Sequence, residues 1–204
     1  MPHQGKHPNE YHKWVLEQMR AIDATHGMNQ KQFYRFLLKD IKGQGVLFAP
    51  KGTNTRFGTE VLPVENWENM EFALKGGIYL PFMNSNTNAN FANEELRNLI
   101  QEIVPVDYPL EFYPIQIKSE EYGDKIYYLI HFKIIFDVID DKNSVWVVNS
   151  IAKPWIDYEK AENLDFFNSK ARINGIMVSD KMKKLMQKRK LDTGIEFKKV
   201  PTFG

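Results

Sequence analysis

Two apolar-rich runs, residues 110–117 (Leu-Glu-Phe-Tyr-Pro-Ile-Gln-Ile) and 126–135 (Ile-Tyr-Tyr-Leu-Ile-His-Phe-Lys-Ile-Ile), are separated by a polar stretch that ends in Gly123-Asp124. Aromatic and β-branched residues favour a pleated, half-buried backbone, and a glycine-bearing pair between two such runs favours a hairpin turn. The middle of the chain is therefore committed to an antiparallel hairpin, and the rest of the fold has to cover its apolar side.

Helices with clear caps flank it. Asn93 precedes Leu96, Leu99, Ile100 and Ile103, an apolar stripe at helical spacing that stops at Pro105; Asp180 opens a basic helix with Met182, Leu185 and Met186 on one face. Further strands are predicted over residues 145–151, 175–178 and 195–200. A weak repeat joins these elements. Residues 91–96 lead through a helix to Leu110-Glu111-Phe112, and residues 178–182 lead through a helix to Ile195-Glu196-Phe197. Each reads as strand end, cap, amphipathic helix, strand, which implies two helix–strand units packed on one sheet.

Upstream, Tyr11, Trp14, Val15, Met19 and Ile22 recur at helical spacing up to His26-Gly27, and Asn29 then precedes Phe33, Phe36, Leu37 and Ile41 before Gly43. This reads as a helical hairpin over residues 1–42. Gly43-Gln44-Gly45 marks the boundary with a second domain, residues 43–204. Between them and the central hairpin, residues 46–49, 61–64 and 78–82 are short β-like runs, while 51–58 and the asparagine-rich 84–90 read as loops, the latter mobile. The expected fold is α+β: an N-terminal helical hairpin followed by a mixed, largely antiparallel sheet with flanking helices.

The formal net charge of +1 conceals segregation. Residues 1–42 carry 7 Lys/Arg against 4 Asp/Glu, residues 43–170 carry 11 against 19, and residues 171–204 carry 9 against 3. An acidic middle favours basic partners and disfavours direct nucleic-acid binding. There is no cysteine, which removes disulfides and thiol catalysis. No apolar run approaches the ~18 residues of a membrane span, and residues 1–7 contain no hydrophobic stretch of the kind that begins a signal peptide. A cytoplasmic protein without a membrane partner is expected.

Enzymatic signatures are sparse. Gly43-Gln44-Gly45 lacks the third glycine and the preceding strand of a phosphate-binding loop, and Ser144, Ser150 and Ser169 have no nucleophile-elbow context. His131 sits inside an aromatic, β-branched run and reads as a packed or edge histidine in preference to a general base. Asp137, Asp140 and Asp141 sit near the end of that run, as turn formers or as metal ligands.

The N-terminus has a more specific pattern. His3-Gln4-Gly5-Lys6-His7 places two imidazoles four residues apart, a spacing that holds one divalent ion if the segment makes a helical turn. Together with Pro8-Asn9-Glu10-Tyr11-His12-Lys13-Trp14-Val15-Leu16 it resembles the end of the Ala-His-His class of HNH nuclease toxins, whose late H-x-G-x-H motif supplies metal ligands. The resemblance assigns His3 and His7 as metal ligands. The Ala-His-His motif itself, which would contribute a further ligand and the base, is not in this sequence, so the segment reads as a nuclease remnant.

The later part resembles a different family. Leu110-Glu111-Phe112-Tyr113-Pro114-Ile115-Gln116-Ile117, then Tyr127-Tyr128-Leu129-Ile130, then Phe136-Asp137-Val138-Ile139-Asp140, and the ending carried by residues 176–182 and 193–197, are similar to immunity protein 11-type proteins over roughly residues 90–200. That resemblance implies a non-catalytic antagonist, with no cofactor, of a cognate nuclease toxin often encoded beside it. The expected toxin-binding residues, taken from charge and loop placement, are Glu120, Glu121, Asp124, Asp137, Asp140 and Asp141. The alternative is a C-terminal fragment of a metal-dependent HNH-type nuclease. With an incomplete ligand set, the purified chain should not cleave DNA in magnesium, manganese, nickel or zinc. Metal-dependent cleavage that is lost in the double variant His3→Ala, His7→Ala would favour the nuclease.

Overall fold

The computed structural model describes residues 31–39, 41–52, 70–147, 150–170 and 175–204. The predicted helix over residues 11–22 and the run 61–64 lie outside these residues. Where the second helix of the hairpin was expected, the chain forms β1 (Phe33–Leu38), paired antiparallel with residues 177–179 on one edge and 195–200 on the other. Phe33 and Phe36, three residues apart, would share a helix face but point to opposite faces of a strand. Both are fully buried because both faces of the sheet are covered, which erases the alternation that marks a half-exposed strand. Fourteen strands stand against three short helices among the described residues, so the fold is β-rich and not the expected α+β arrangement.

Strands β2 (Val46–Phe48), β3 (Glu71–Lys75), β4 (Phe82–Asn84), β5 (Asn90–Ala92), β6 (Leu110–Lys118) and β7 (Lys125–Phe132) form one sheet in the order β2-β3-β6-β7-β5-β4. The sheet curls back on itself. Leu47 of β2 bridges to Ser85 just after β4, and the Asn86 N–H donates to the Leu47 carbonyl at 2.9 Å. Alternate residues from every strand, among them Leu47, Phe72, Leu74, Met83, Phe91, Ile115, Ile117, Tyr127 and Leu129, fill the interior of this small barrel. Helix α1 (Glu94–Ile103) connects β5 to β6 across the outside, its first turn capped by the Asn93 side chain at 2.9 Å from the Leu96 N–H.

The remaining elements are β8 (Val145–Val147), β9 (Ser150–Lys153), β10 (Ile156–Asp157), α2 (Tyr158–Ala161), β11 (Phe166–Asn168), β12 (Ile176–Ser179), α3 (Asp180–Lys188), β13 (Ile195–Val200) and β14 (Thr202–Phe203). They rebuild the first barrel. β10, β11, β12, α3 and β13–β14 match β3, β4, β5, α1 and β6 in order and in pairing. β3 runs parallel to the end of β6 (Phe72↔Ile117, Ala73↔Lys118), and β10 runs parallel to β14 (Ile156↔Thr202, Asp157↔Phe203). Phe136 bridges to Ser169 as Leu47 does to Ser85, and Ile139 bridges to Ile156 much as β2 pairs with β3. The strand between β5 and β6 is β7; the strand between β12 and β13 is β1. The second barrel is thus a permuted copy whose central strand comes from upstream of the first.

Details agree down to single contacts. Leu80-Pro81-Phe82-Met83-Asn84-Ser85 is matched by Leu164-Asp165-Phe166-Phe167-Asn168-Ser169, and both serines are buried. Asn93 N–H donates to the Pro81 carbonyl at 2.8 Å, and Ser179 N–H donates to the Asp165 carbonyl at 3.0 Å. Arg97 of α1 lies 4.0 Å over Tyr128, and Lys183 of α3 lies 3.9 Å over Tyr34. The repeat read in the sequence is therefore the visible part of a duplication. Its two helix–strand units belong to two sheets, where one was expected.

Phe33, Val138, Ile139, Ile156, Phe167, Met177 and Val200 fill the second barrel. A third cluster lies between the barrels and includes Phe36, Phe82, Phe166 and the inward faces of α1 and α3. Phe36 meets Phe82 edge-on at 4.5 Å and also touches Phe166 and Phe197. The boundary expected at 42/43 falls between β1 and β2, and β1 pairs across it with residues 177–179 and 195–200. Gly43-Gln44-Gly45 is no linker: Ile78 N–H donates to the Gly43 carbonyl at 2.8 Å, and a side chain on Gly77 would stand 2.1 Å from that oxygen.

Deleting residues 1–42 should abolish cooperative thermal unfolding of the second barrel, since β12 and β13 lose the strand between them. Phe36→Ala should cost about 3–5 kcal/mol in denaturant unfolding, the range for removing a buried aromatic. A cooperative, soluble deletion product would show that β1 is dispensable.

Candidate functional site

The β6–β7 turn, residues 119–124, stands exposed at one end of the first barrel. Glu120, Glu121, Tyr122 and Asp124 are all exposed. Gly123, at φ +72°, takes the left-handed conformation that closes the turn. The turn is braced from below. The Tyr79 hydroxyl lies 3.2 Å from the Ile117 carbonyl and 3.0 Å from the Gly123 carbonyl, and its ring stacks on Tyr127 at 5.6 Å. Asp124 belongs to this bracing: it pairs with Lys118 at 2.8 Å and accepts from the Ser119 N–H, and the Lys118 bond holds its carboxyl below the usual aspartate range. The neighbouring Glu121 carboxylate raises the pKa of the Tyr122 phenol.

Beside the turn lies an open cleft of about 390 Å³ walled by residues 73–77 of β3 and its exit and by residues 118–122. It forms because β3 and β6 are paired only as far as Ala73 and Lys118 and then part, β3 continuing alongside β2 while β6 folds into the turn.

Asp137, Asp140 and Asp141 follow the other end of β7. The eight residues of β7 put them roughly 25 Å from Glu120, so the six acidic residues do not form one surface. Asp137 pairs with Lys170 at 2.6 Å in an exposed ion pair. Asp140 is a turn former: its carboxylate accepts from the N–H groups of Lys142 and Asn143 and from the Asn143 side chain. Asp141 is exposed. His3 and His7 lie outside the described residues. Among the described residues no group of three or more His, Asp or Glu side chains is placed to hold a metal ion, and no helix is long and apolar enough to cross a membrane.

One titratable group does assemble. At the end of the first barrel away from the turn, β6 and β7 bring together Glu111, Tyr113, His131 and Lys133. Glu111 pairs with Lys133 and accepts from the Tyr113 hydroxyl at 2.5 Å. Lys133 first, then Tyr113, hold the Glu111 carboxyl below its usual range, while burial and Glu111 push the Tyr113 phenol up to about 12. His131, tilted against Tyr113 at 5.8 Å, is held below its ordinary value of 6.5 by burial. Nothing in this quartet is left poised: the base is engaged by two donors and the imidazole is packed. The sequence pointed to His131 as a packed residue but gave no sign of its three neighbours, which become legible only from the hairpin register.

No family model matches the chain, and no curated protein matches it. Two residues of the braced turn, Tyr79 and Tyr122, are not among those the sequence singles out: Tyr79 lies in a weak β-like run, and Tyr122 stands among charged residues. An exposed aromatic in a turn flanked by glutamates was the available signal.

The quartet makes stability depend on pH with a fixed sign. Both His131 and Glu111 have folded-state pKa values below their unfolded ones, so each favours the native state above the unfolded value and loses that contribution as pH falls through the folded one. Melting temperature should decline on acidification below about pH 6.5, and further below the carboxylate range. Glu111→Gln should flatten the lower part of the curve. An unchanged acid limb in that variant would remove Glu111 from the account.

Proposed function

We propose that this chain is an immunity protein, acting in the cytoplasm, that binds a nuclease toxin and blocks it. The observation that carries the reading is the braced acidic turn with its exposed aromatic residue. A turn whose backbone and flanking side chains are already tied down loses little freedom on binding, and a solvent-facing tyrosine beside carboxylates suits the desolvated centre and charged rim of a protein interface. Two further points support it. The segments that resemble immunity protein 11-type proteins carry β6 and β7 of the first barrel and β12, the start of α3 and β13 of the second. The titratable quartet is consumed by internal pairing, which suits a scaffold better than a catalyst.

A nuclease must attract a polyanion, so its substrate-binding surface is basic. The acidic middle of the chain complements such a surface and would accelerate encounter at low ionic strength. Inhibition then follows from occupancy: a chain seated at or beside the DNA-binding surface excludes the duplex.

The test is co-expression with candidate HNH-type nuclease toxins, beginning with any encoded beside this chain. Growth should be restored, and the purified chain should form a stable complex and suppress DNA cleavage in solution. Association should slow as salt is raised. A chain that neither binds nor protects would remove the immunity assignment.

A further inference from the structure

The duplication supplies its own comparison for the cleft of the first barrel. In the second barrel the chain after β10 coils at once into α2, and Gly204, the counterpart of Ser119, lies against its first turn: a side chain there would stand 3.2 Å from Tyr158 Cβ. Ala161 of α2 is fully buried against the barrel interior, so the gap between the two parallel strand ends is filled from within. In the first barrel β3 stays extended to Lys75 and turns away through Gly76 and Gly77, both at positive φ, and the same gap is open. One framework therefore contains a closed and an open version of the same feature.

The open version has a defined chemistry. Ala73, Gly76 and Gly77 line one wall, while the Leu74 side chain points into the barrel. Both cations at the cleft are engaged elsewhere: Lys118 pairs with Asp124, and the Lys75 ammonium lies over the Phe48 ring at 4.8 Å. On the opposite rim stand Glu120 and Glu121 with the exposed ring of Tyr122. An uncharged wall of alanine and glycine, two carboxylates and an aromatic face together fit a long cationic side chain, whose stem lies along the wall and whose head meets the carboxylates and stacks on the ring. The volume lies at the small end of the roughly 300–1,000 Å³ of ligand sites, enough for a side chain and its immediate backbone.

We propose that this cleft is the socket for an arginine or lysine projected from the substrate-binding surface of the nuclease, with Glu120, Glu121 and Tyr122 as its contacts. The inference rests on the immunity reading and narrows it: of the six acidic residues singled out in the sequence, only the pair at the cleft rim makes the decisive contact, while Asp124 holds the turn and Asp137, Asp140 and Asp141 lie at the far end of β7.

The experiment measures binding of the chain and four variants to the nuclease toxin that the co-expression test identifies, at low and moderate salt. The double variant Glu120→Gln, Glu121→Gln and the single variant Tyr122→Phe keep size and fold; Asp137→Asn, Asp141→Asn is the remote control. The socket requires roughly tenfold or greater loss of affinity in the glutamate double variant, mainly through faster dissociation. Tyr122→Phe should change affinity little and Tyr122→Ala substantially, because the ring does the stacking. The remote pair should be unaffected. Thermal unfolding of each variant confirms folding. If the unmodified chain binds and the glutamate variant binds equally well, the socket is overturned and the immunity reading stands. If the unmodified chain does not bind, both fall together.

Discussion

The ladders on the two edges of β1 are the interaction on which the rest of the structure depends. Every other strand of the second barrel comes from residues beyond 135, and without β1 the strands on either side of the central position have no hydrogen-bonding partner there. The same six residues send Phe33 into the second barrel and Phe36 into the layer between the barrels, where it touches Phe82 of the first. Buried unpaired backbone is costly and buried aromatics contribute strongly, so one short strand couples the core of the second barrel to the layer between the barrels. The orientation of the acidic turn follows indirectly. The first barrel fixes the turn, and β1 fixes the first barrel against the second.

What could be read from the sequence divides along physical lines. The β6–β7 hairpin and helices α1 and α3 were legible because each carries a local signal: alternation with a turn residue, or an apolar stripe with a cap. β1 was not, because a strand covered on both faces loses its alternation, and a phenylalanine pair at i and i+3 mimics a helix. The asparagine-rich stretch at 84–90 also misled. Its residues form strand ends and a turn held by their own side chains: Asn84 donates to Asn90 and to the Ala89 carbonyl, Asn86 accepts from the Ala49 N–H, and Asn88 takes φ +58°. Asparagine tolerates such geometry and bonds locally, so composition that suggests mobility here encodes a fixed turn.

Charge was legible as an amount and not as availability. The balance of residues 43–170 counts every carboxylate alike, whereas the fold assigns Asp124 to a turn, Asp137 to an ion pair and Asp140 to backbone N–H groups. Only pairing information separates carboxylates that build the molecule from those left for a partner. The same holds for the quartet at Glu111, where a histidine that looked solitary is one member of a paired group.

The permutation also sets a schedule for biosynthesis. β1 leaves the ribosome before any strand that can pair with it, and β2 to β7 emerge next with all the partners they need. The first barrel can thus close while the chain is still being made. β1, with two unsatisfied edges and three aromatic side chains, must wait until Ile176 and then Ile195 have been added. Pairings so distant in sequence form slowly, and an exposed apolar strand is a template for unwanted association during the wait. The second barrel is therefore the late-folding half of the molecule, and the acidic turn is in place before it.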